Sequence, residues 1–271
     1  MMNLRCSRIL VTNDDGINAP GLRVLEKIAK SLSDDVWVVA PESEQSASGH
    51  SLTLTLPLRV RKAGARKFAV DGTPTDSVLL GVRHIINGKK PDLMLSGVNA
   101  GGNLGEDITY SGTVAAAMEG TLLGIPSIAL SQMRVYGENV GWGPTERHAV
   151  HIIKKLTRET WPSNVLMNVN FPDLPAEDVE KIEVTVQGRR KIGDAITTGR
   201  DPRGYDYVWI GAERNEDPSF RGSDLKAVNE GRISVTPLCL DLTHKRSMRR
   251  LREFFDESGS QSHSADHGAS P

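Results

Sequence analysis

Cysteine is scarce. Cys6 and Cys239 are the only two in 271 residues; they lack metal-ligand spacing and are too few for a disulfide scaffold, so a reducing cytoplasm is the expected setting. Aromatic residues amount to 5%, which predicts an aliphatic core. No apolar run approaches the roughly 18 residues of a membrane span. The opening MMNLRCSRILVTNDD turns polar after four apolar residues and does not read as a secretory signal. Net charge is also lacking: 33 Lys+Arg against 34 Asp+Glu leave −1, and without a dense basic stripe a nucleic-acid polymer is not expected as an obligate partner. Several phosphate and nucleophile fingerprints are missing. There is no GxxxxGK[ST], no GxGxxG after the first strand and no GxSxG, which argues against a P-loop NTPase, an ordinary dinucleotide fold and a serine hydrolase.

What is present is alternation. RILVT (8–12), VWVVA (36–40), DLMLS (92–96), PSIALS (126–131) and VLMNVNF (165–171) are short, β-branched or aliphatic runs. Between them lie helical patterns at 21–32, 113–124 and 146–159; in the first, Leu22, Leu25, Ile28, Ala29 and Leu32 share one stripe. Buried strands separated by helices predict an α/β fold, a Rossmann-like, mostly parallel sheet covered by helices on both faces, over residues 1–175. From 176 to 255 the texture is richer in Gly, Arg, Asp and Pro, with strand patterns at 181–187 and 232–238 and a short helix at 224–231. This predicts a smaller β-rich C-terminal arm used in oligomer contacts, with the basic run HKRSMRRLRE (244–253) as a solvated helix. Residues 258–271 contain no Leu, Ile, Val or Phe, so a disordered tail is expected over 256–271.

In a parallel sheet ligands bind beyond the carboxyl ends of the strands. After the first strand comes NDDGINAPG (13–21), where Asp14 and Asp15 stand side by side. Asn18 is placed to cap the next helix, but capping does not account for two adjacent acids, which raise each other's pKa unless a cation compensates. The second strand leads into PESEQSASGHS (41–51), a hydroxyl-rich loop in which His50 reads as a surface residue. The third leads into GVNAGGNLGEDITYSGT (97–113), with five glycines that let backbone N–H groups approach an anion. That loop enters a helix through Ser111, Gly112 and Thr113, either an ordinary cap or a phosphate seat. Oxygen-only donors suit a hard divalent ion such as Mg²⁺ or Mn²⁺, and such an ion beside an anion seat points to phosphate-ester chemistry. The aromatics of DPRGYDYVWIG (201–211) either stack on a base or pack at a subunit contact.

NDDGINAPG, APESEQSASGHSLT (40–53), DGTPTDSV (71–78), SGVNAGGNLGEDITYSGTVAAAMEG (96–120) and NEGRISVTPL (229–238) together resemble the SurE family of survival-protein-E-like 5′/3′-nucleotidases. The resemblance runs in order through most of residues 8–245. It implies a cytoplasmic, metal-dependent phosphomonoesterase acting on nucleoside 5′- and 3′-monophosphates, with an arm exchanged in a homodimer or homotetramer. By position it implies one divalent ion per subunit held by Asp14, Asp15, Ser46 and Asn99. Asn103, Ser111, Gly112 and Thr113 then line the phosphate seat. Since a bound ion lowers the pKa of a water ligand, one of the two acids Asp14 and Asp15, with Asp14 the first choice, is expected to orient or deprotonate the attacking water. The loops by themselves leave open a phosphatase for sugar phosphates or short polyphosphates, and a nucleotide-binding module without catalysis.

Overall fold

The computed structural model describes residues 2–260 apart from 136, 138, 193, 194, 212, 213 and 218. The chain divides into a unit reaching Leu238 and a second from Cys239 onward. In the first, β1 (Arg8–Thr12) forms from RILVT, and its last four residues are buried. Then come α1 (Pro20–Leu32), β2 (Asp35–Pro41), β3 (Val60–Gly64), β4 (Lys67–Val70), α2 (Pro74–Leu80), β5 (Leu93–Ala100), α3 (Gly112–Leu122), β6 (Ser127–Gln132), α4 (Gly143–Leu156) and β7 (Val165–Phe171).

The main sheet extends through β8 (Ile182–Val184) and β13 (Ile233–Cys239), in the order β3-β4-β2-β1-β5-β6-β7-β13-β8. Every pairing from β4 through β2, β1, β5 and β6 to β7 is parallel; β3 joins β4 antiparallel. Ile9 and Val11 belong to the same apolar cluster as the α1 stripe and Ala149, Ile152 and Ile153 of α4. Leu10 points the other way, toward Gly81 at the end of α2. The sheet is therefore covered on both faces, as expected of a Rossmann-like architecture, and its core is almost wholly aliphatic.

Between residues 176 and 255 the strands go to two destinations. β8 and β13 extend the main sheet, whereas β10 (Ile196–Arg200) and β11 (Asp206–Ile210) form an antiparallel ribbon of their own, and β9 (Arg190–Ile192) pairs with β12 (Arg214–Glu216). Short α5 (Asp224–Asn229) precedes β13. The basic run at 244–253 lies, from its second residue on, in α6 (Lys245–Ser260), where the Phe254 and Phe255 rings meet edge to face. Residues 256–260 complete that helix, and the rest of the tail expected to be disordered, 261–271, lies outside the described residues. Among the described residues, no helix is long and apolar enough to cross a membrane.

One local expectation is corrected. Asn18 does not cap α1: the N-cap is Ala19 and Pro20 takes the first helical position, where its fixed φ suits the helix and its missing N–H costs nothing. Asn18 instead offers its carbonyl to the Arg23 guanidinium at 2.7 Å.

Candidate active site

The strand order reverses between β1 and β5. From β1 the chain builds outward through β2 and β4, then returns to lay β5 on the other side of β1. Thr12 pairs with Ser96 at this seam, so the turn after β1 and the end of β5 open into one crevice. Asn13 closes the turn by donating from Nδ2 to the Gly16 carbonyl at 3.0 Å. Gly16 has φ +97°, and a Cβ there would lie 3.1 Å from the Ser43 carbonyl carbon, so glycine is what lets the loop after β2 lie this close. That loop is tied down by Gln45, whose backbone N–H donates to the Asp14 carbonyl at 2.8 Å.

Asp14 is 4% exposed and accepts a short hydrogen bond from the Thr113 hydroxyl in the first turn of α3. Gly112 makes that approach possible: a Cβ at this position would sit 2.7 Å from the Asp14 Cβ and 2.9 Å from its Oδ2. Ser111 caps the same helix, its Oγ accepting from the Val114 N–H at 3.1 Å. Residues almost a hundred positions apart are thus brought into contact, and Asp14 lies against a helix N-terminus.

Burial pushes the Asp14 carboxyl above the ordinary carboxylate range, although hydrogen bonds from the Thr113 side chain and backbone pull the other way. Asp15 is pushed up to about 7, first by burial and then by the charge of Asp14, with Glu44 adding to both. A backbone hydrogen bond from Ala100 and the charge of Arg134 oppose the rise at Asp15 without cancelling it. Asn13 Oδ1 is buried without a hydrogen-bond partner. Among the described residues no cluster of three or more His, Cys, Asp or Glu is placed to hold a metal, so any cation here is completed by neutral oxygens. Excess buried negative charge, an orphaned carbonyl oxygen and an all-oxygen donor set fit a hard divalent ion.

The remaining expected residues are placed as follows. Asn99 is the penultimate residue of β5 and donates from Nδ2 to the Gly101 carbonyl at 2.7 Å, so its Oδ1 is not used by that bond. Ser46 is exposed on the loop and donates to Glu44 Oε1 at 2.8 Å; the backbone tie at Gln45, not a side-chain contact, associates it with Asp14. Asn103 is fixed by a buried network. Its Nδ2 donates to Ser131 Oγ and its N–H to Asn170 Oδ1, both at 2.8 Å, and its carbonyl accepts from Asn168 and Asn170. The Thr113 hydroxyl is engaged by Asp14, so this side chain orients the acid.

Sequence reasoning missed Glu44, whose approach to the acids depends on how the loop folds back. It also missed Asn168 and Asn170, although two asparagines at alternate positions of VLMNVNF signal a polar patch where β7 leaves the core. His50, read as a surface residue, places Nε2 3.1 Å from Oε2 of buried Glu119 in α3 and so fastens the hydroxyl-rich loop to that helix.

The sequence profile of the family described as Survival protein SurE matches residues 9–194. A 5′-nucleotidase SurE of Paramagnetospirillum magneticum is 64% identical over 248 residues, 92% of this chain and 95% of that protein. The 5′-nucleotidase SurE of Rhodospirillum rubrum is 51% identical over 261 residues, 94% and 98% of the two chains. The crystal structure of the SurE protein from Aquifex aeolicus superimposes with a TM-score of 0.80 at 46% identity, covering 91% of this chain and 99% of that one.

Proposed function

Because the chain belongs to the SurE family, we propose that it is a 5′-nucleotidase, a phosphomonoesterase that releases phosphate from nucleoside monophosphates with the help of a divalent cation. The observation that carries this reading is the contact of Asp14 with Gly112 and Thr113, which sets a buried carboxylate, with Asp15 next to it in the chain, beside a helix start suited to phosphate.

In this reading Asp14 and Asp15 hold the ion, with Asn99 Oδ1 and Ser46 Oγ as neutral donors. When bound, such an ion supplies positive charge to the phosphoryl oxygens and acidifies water. Ser111 keeps its O–H proton for a phosphate oxygen while its Oγ accepts from Val114, and the Gly112 N–H points with the helix start. Asn103, fixed by Ser131 and the β7 asparagines, offers its second amide proton. These donors are oriented before substrate arrives, which is the arrangement that stabilises charge developing on phosphoryl oxygens. Thr113 keeps Asp14 in place to orient or deprotonate the attacking water. Mg²⁺ and Mn²⁺ both suit the donor set. Cytoplasmic placement is supported by the low cysteine content, and self-association as a homodimer or homotetramer by the exposed apolar residues of the β10–β11 ribbon, among them Ile196, Val208, Trp209 and Ile210.

The test is phosphate release from a panel of nucleoside monophosphates, first with EDTA and then with single divalent ions restored. Release is expected to stop with EDTA and return with Mn²⁺ or Mg²⁺; release indifferent to EDTA overturns the reading.

A pH dependence follows from the same acids. In the metal-free protein the Asp15 carboxyl holds its proton up to about pH 7, against 3.8 for an ordinary aspartate. Its contribution to stability is therefore full below about pH 4 and is lost as the pH rises through about 7. A cation competes with that proton and binds the folded state only. The rise in Tm on adding Mn²⁺ to EDTA-treated protein is expected to be several degrees at pH 8 and near zero at pH 5, measured by differential scanning fluorimetry. An equal rise at both values would show that these carboxyls do not take the ion.

A further inference from the structure

Tyr110 stands immediately before Ser111, one residue from the start of the phosphate-facing helix, and is 42% exposed. Its backbone is fixed on both sides: the N–H donates to the Asp107 carbonyl at 3.0 Å, and the carbonyl accepts from the Gly49 N–H at 3.2 Å. The Lys191 ammonium of β9 lies over the ring, 5.2 Å from its centroid. Lys191 also lines an open groove of about 460 Å³ with Glu106, Arg189, Asn215 and Glu216 among its walls, a volume within the range of small-molecule sites. Arg189 on the same groove lies 5.5 Å from the centre of the Phe220 ring. The segment from Glu106 to Ser111 thus runs from the wall of this groove to the phosphate seat.

We propose that Tyr110, with Lys191 and the groove that Lys191 lines, forms the subsite for the nucleoside half of the substrate, the Tyr110 ring stacking with the base. Tyr110 directly precedes the Ser111 cap in the chain, so its backbone lies within one residue, about 3.8 Å from Cα to Cα, of the groups that would hold a phosphate. An exposed, backbone-fixed aromatic ring is a stacking surface that accepts any base, because every base has a π-face. The carboxylates of Glu106 and Glu216 and the Asn215 amide offer acceptors and donors for sugar hydroxyls and base edges. The aromatics considered for this role from sequence, Tyr205, Tyr207 and Trp209, lie on or beside the β10–β11 ribbon with their side chains exposed.

This inference rests on the nucleotidase reading, and the experiment separates the two. With saturating Mn²⁺, kcat/KM is measured for AMP and for ribose 5-phosphate, which lacks the base, in the wild type and in Tyr110→Ala, Tyr110→Leu, Tyr110→Phe and Lys191→Ala. The wild type is expected to prefer AMP. The AMP-to-ribose-5-phosphate ratio is expected to fall about tenfold in the Ala and Leu variants, to stay near the wild-type ratio in the Phe variant, and to fall two- to threefold in Lys191→Ala. An unchanged ratio, with both substrates losing rate alike, makes Tyr110 a support for the phosphate seat and overturns the inference while leaving the nucleotidase reading intact. So does a wild type that turns over both substrates equally. A wild type that turns over neither overturns both.

Discussion

Asp14→Asn is expected to lower kcat/KM for nucleoside monophosphates by about a thousandfold or more, because metal-ion charge stabilisation is worth several kcal/mol. The substitution preserves volume and leaves an oxygen for the Thr113 hydroxyl, so the start of α3 has no reason to move. What it removes is charge, and removing it acts in opposite directions on activity and stability. Activity falls because half of the anionic pair is gone and Mn²⁺ affinity falls with it. Metal-free stability rises, because burial holds both carboxyls above their ordinary range and the Asp14 charge adds to the rise at Asp15, so the native acid is a cost that the cation offsets. In EDTA, Asp14→Asn is therefore expected to melt at least about 2 °C above the wild type, and isothermal calorimetry should show weakened or absent Mn²⁺ binding. A variant retaining more than a tenth of wild-type activity would remove Asp14 from the cation site. A drop in metal-free Tm would show that its charge is stabilised by the chain alone.

Gly112→Ala is expected to cost about a hundredfold in kcat/KM, since a misplacement of about 1 Å near reacting groups has an effect of that order. Helix propensity argues the other way, because alanine is favoured over glycine by about 1 kcal/mol inside a helix. The contact decides. The new Cβ would meet the Asp14 Cβ at 2.7 Å, Asp14 Oδ2 at 2.9 Å and Pro74 Cγ at 3.1 Å. The nearest of these is the root of a buried side chain with no free end to swing aside, so either Asp14 or the first turn of α3 must shift. The Mn²⁺ concentration for half-maximal activity should rise together with the loss of rate. Activity within threefold of wild type would mean that the site tolerates the displacement and that the close approach at Gly112 is not needed for catalysis.

Much of this arrangement was legible before any coordinates. RILVT and VLMNVNF read as strands over the residues that form β1 and β7, because a short apolar run bounded by polar residues has one buried solution. The stripe of α1 was equally plain, and each of its five apolar residues is buried. β3 was not legible, since all five of its residues are exposed and an edge strand without a buried face leaves no alternation to find. α2 starts at a Thr73–Asp76 capping box, a signal in DGTPTDSV that was visible but only seven helical residues long. At the site, Asp14 and Asp15 were found because adjacent like charges at a strand end ask for an explanation. Glu44 could not be found in the same way. It is one polar residue among many in its loop, and its nearness shows only once the loop is folded back by the Gln45 to Asp14 backbone bond, where its charge acts on both acids. The buried asparagine network around Asn103 was hidden for a related reason: hydrogen bonds between segments 65 or more positions apart leave no local pattern.

The place of β13 in the main sheet has a consequence for the nascent chain. β7 ends at Phe171, and the strand that covers its far side begins at Ile233, so the ribosome must deliver the entire ribbon region before that side can be paired. During this interval the emerging polypeptide presents an open, aliphatic strand to solvent, the kind of surface that recruits holdase chaperones or nucleates inclusion bodies. Conditions that slow translation after residue 171 should therefore lower the soluble yield more than conditions that slow it earlier.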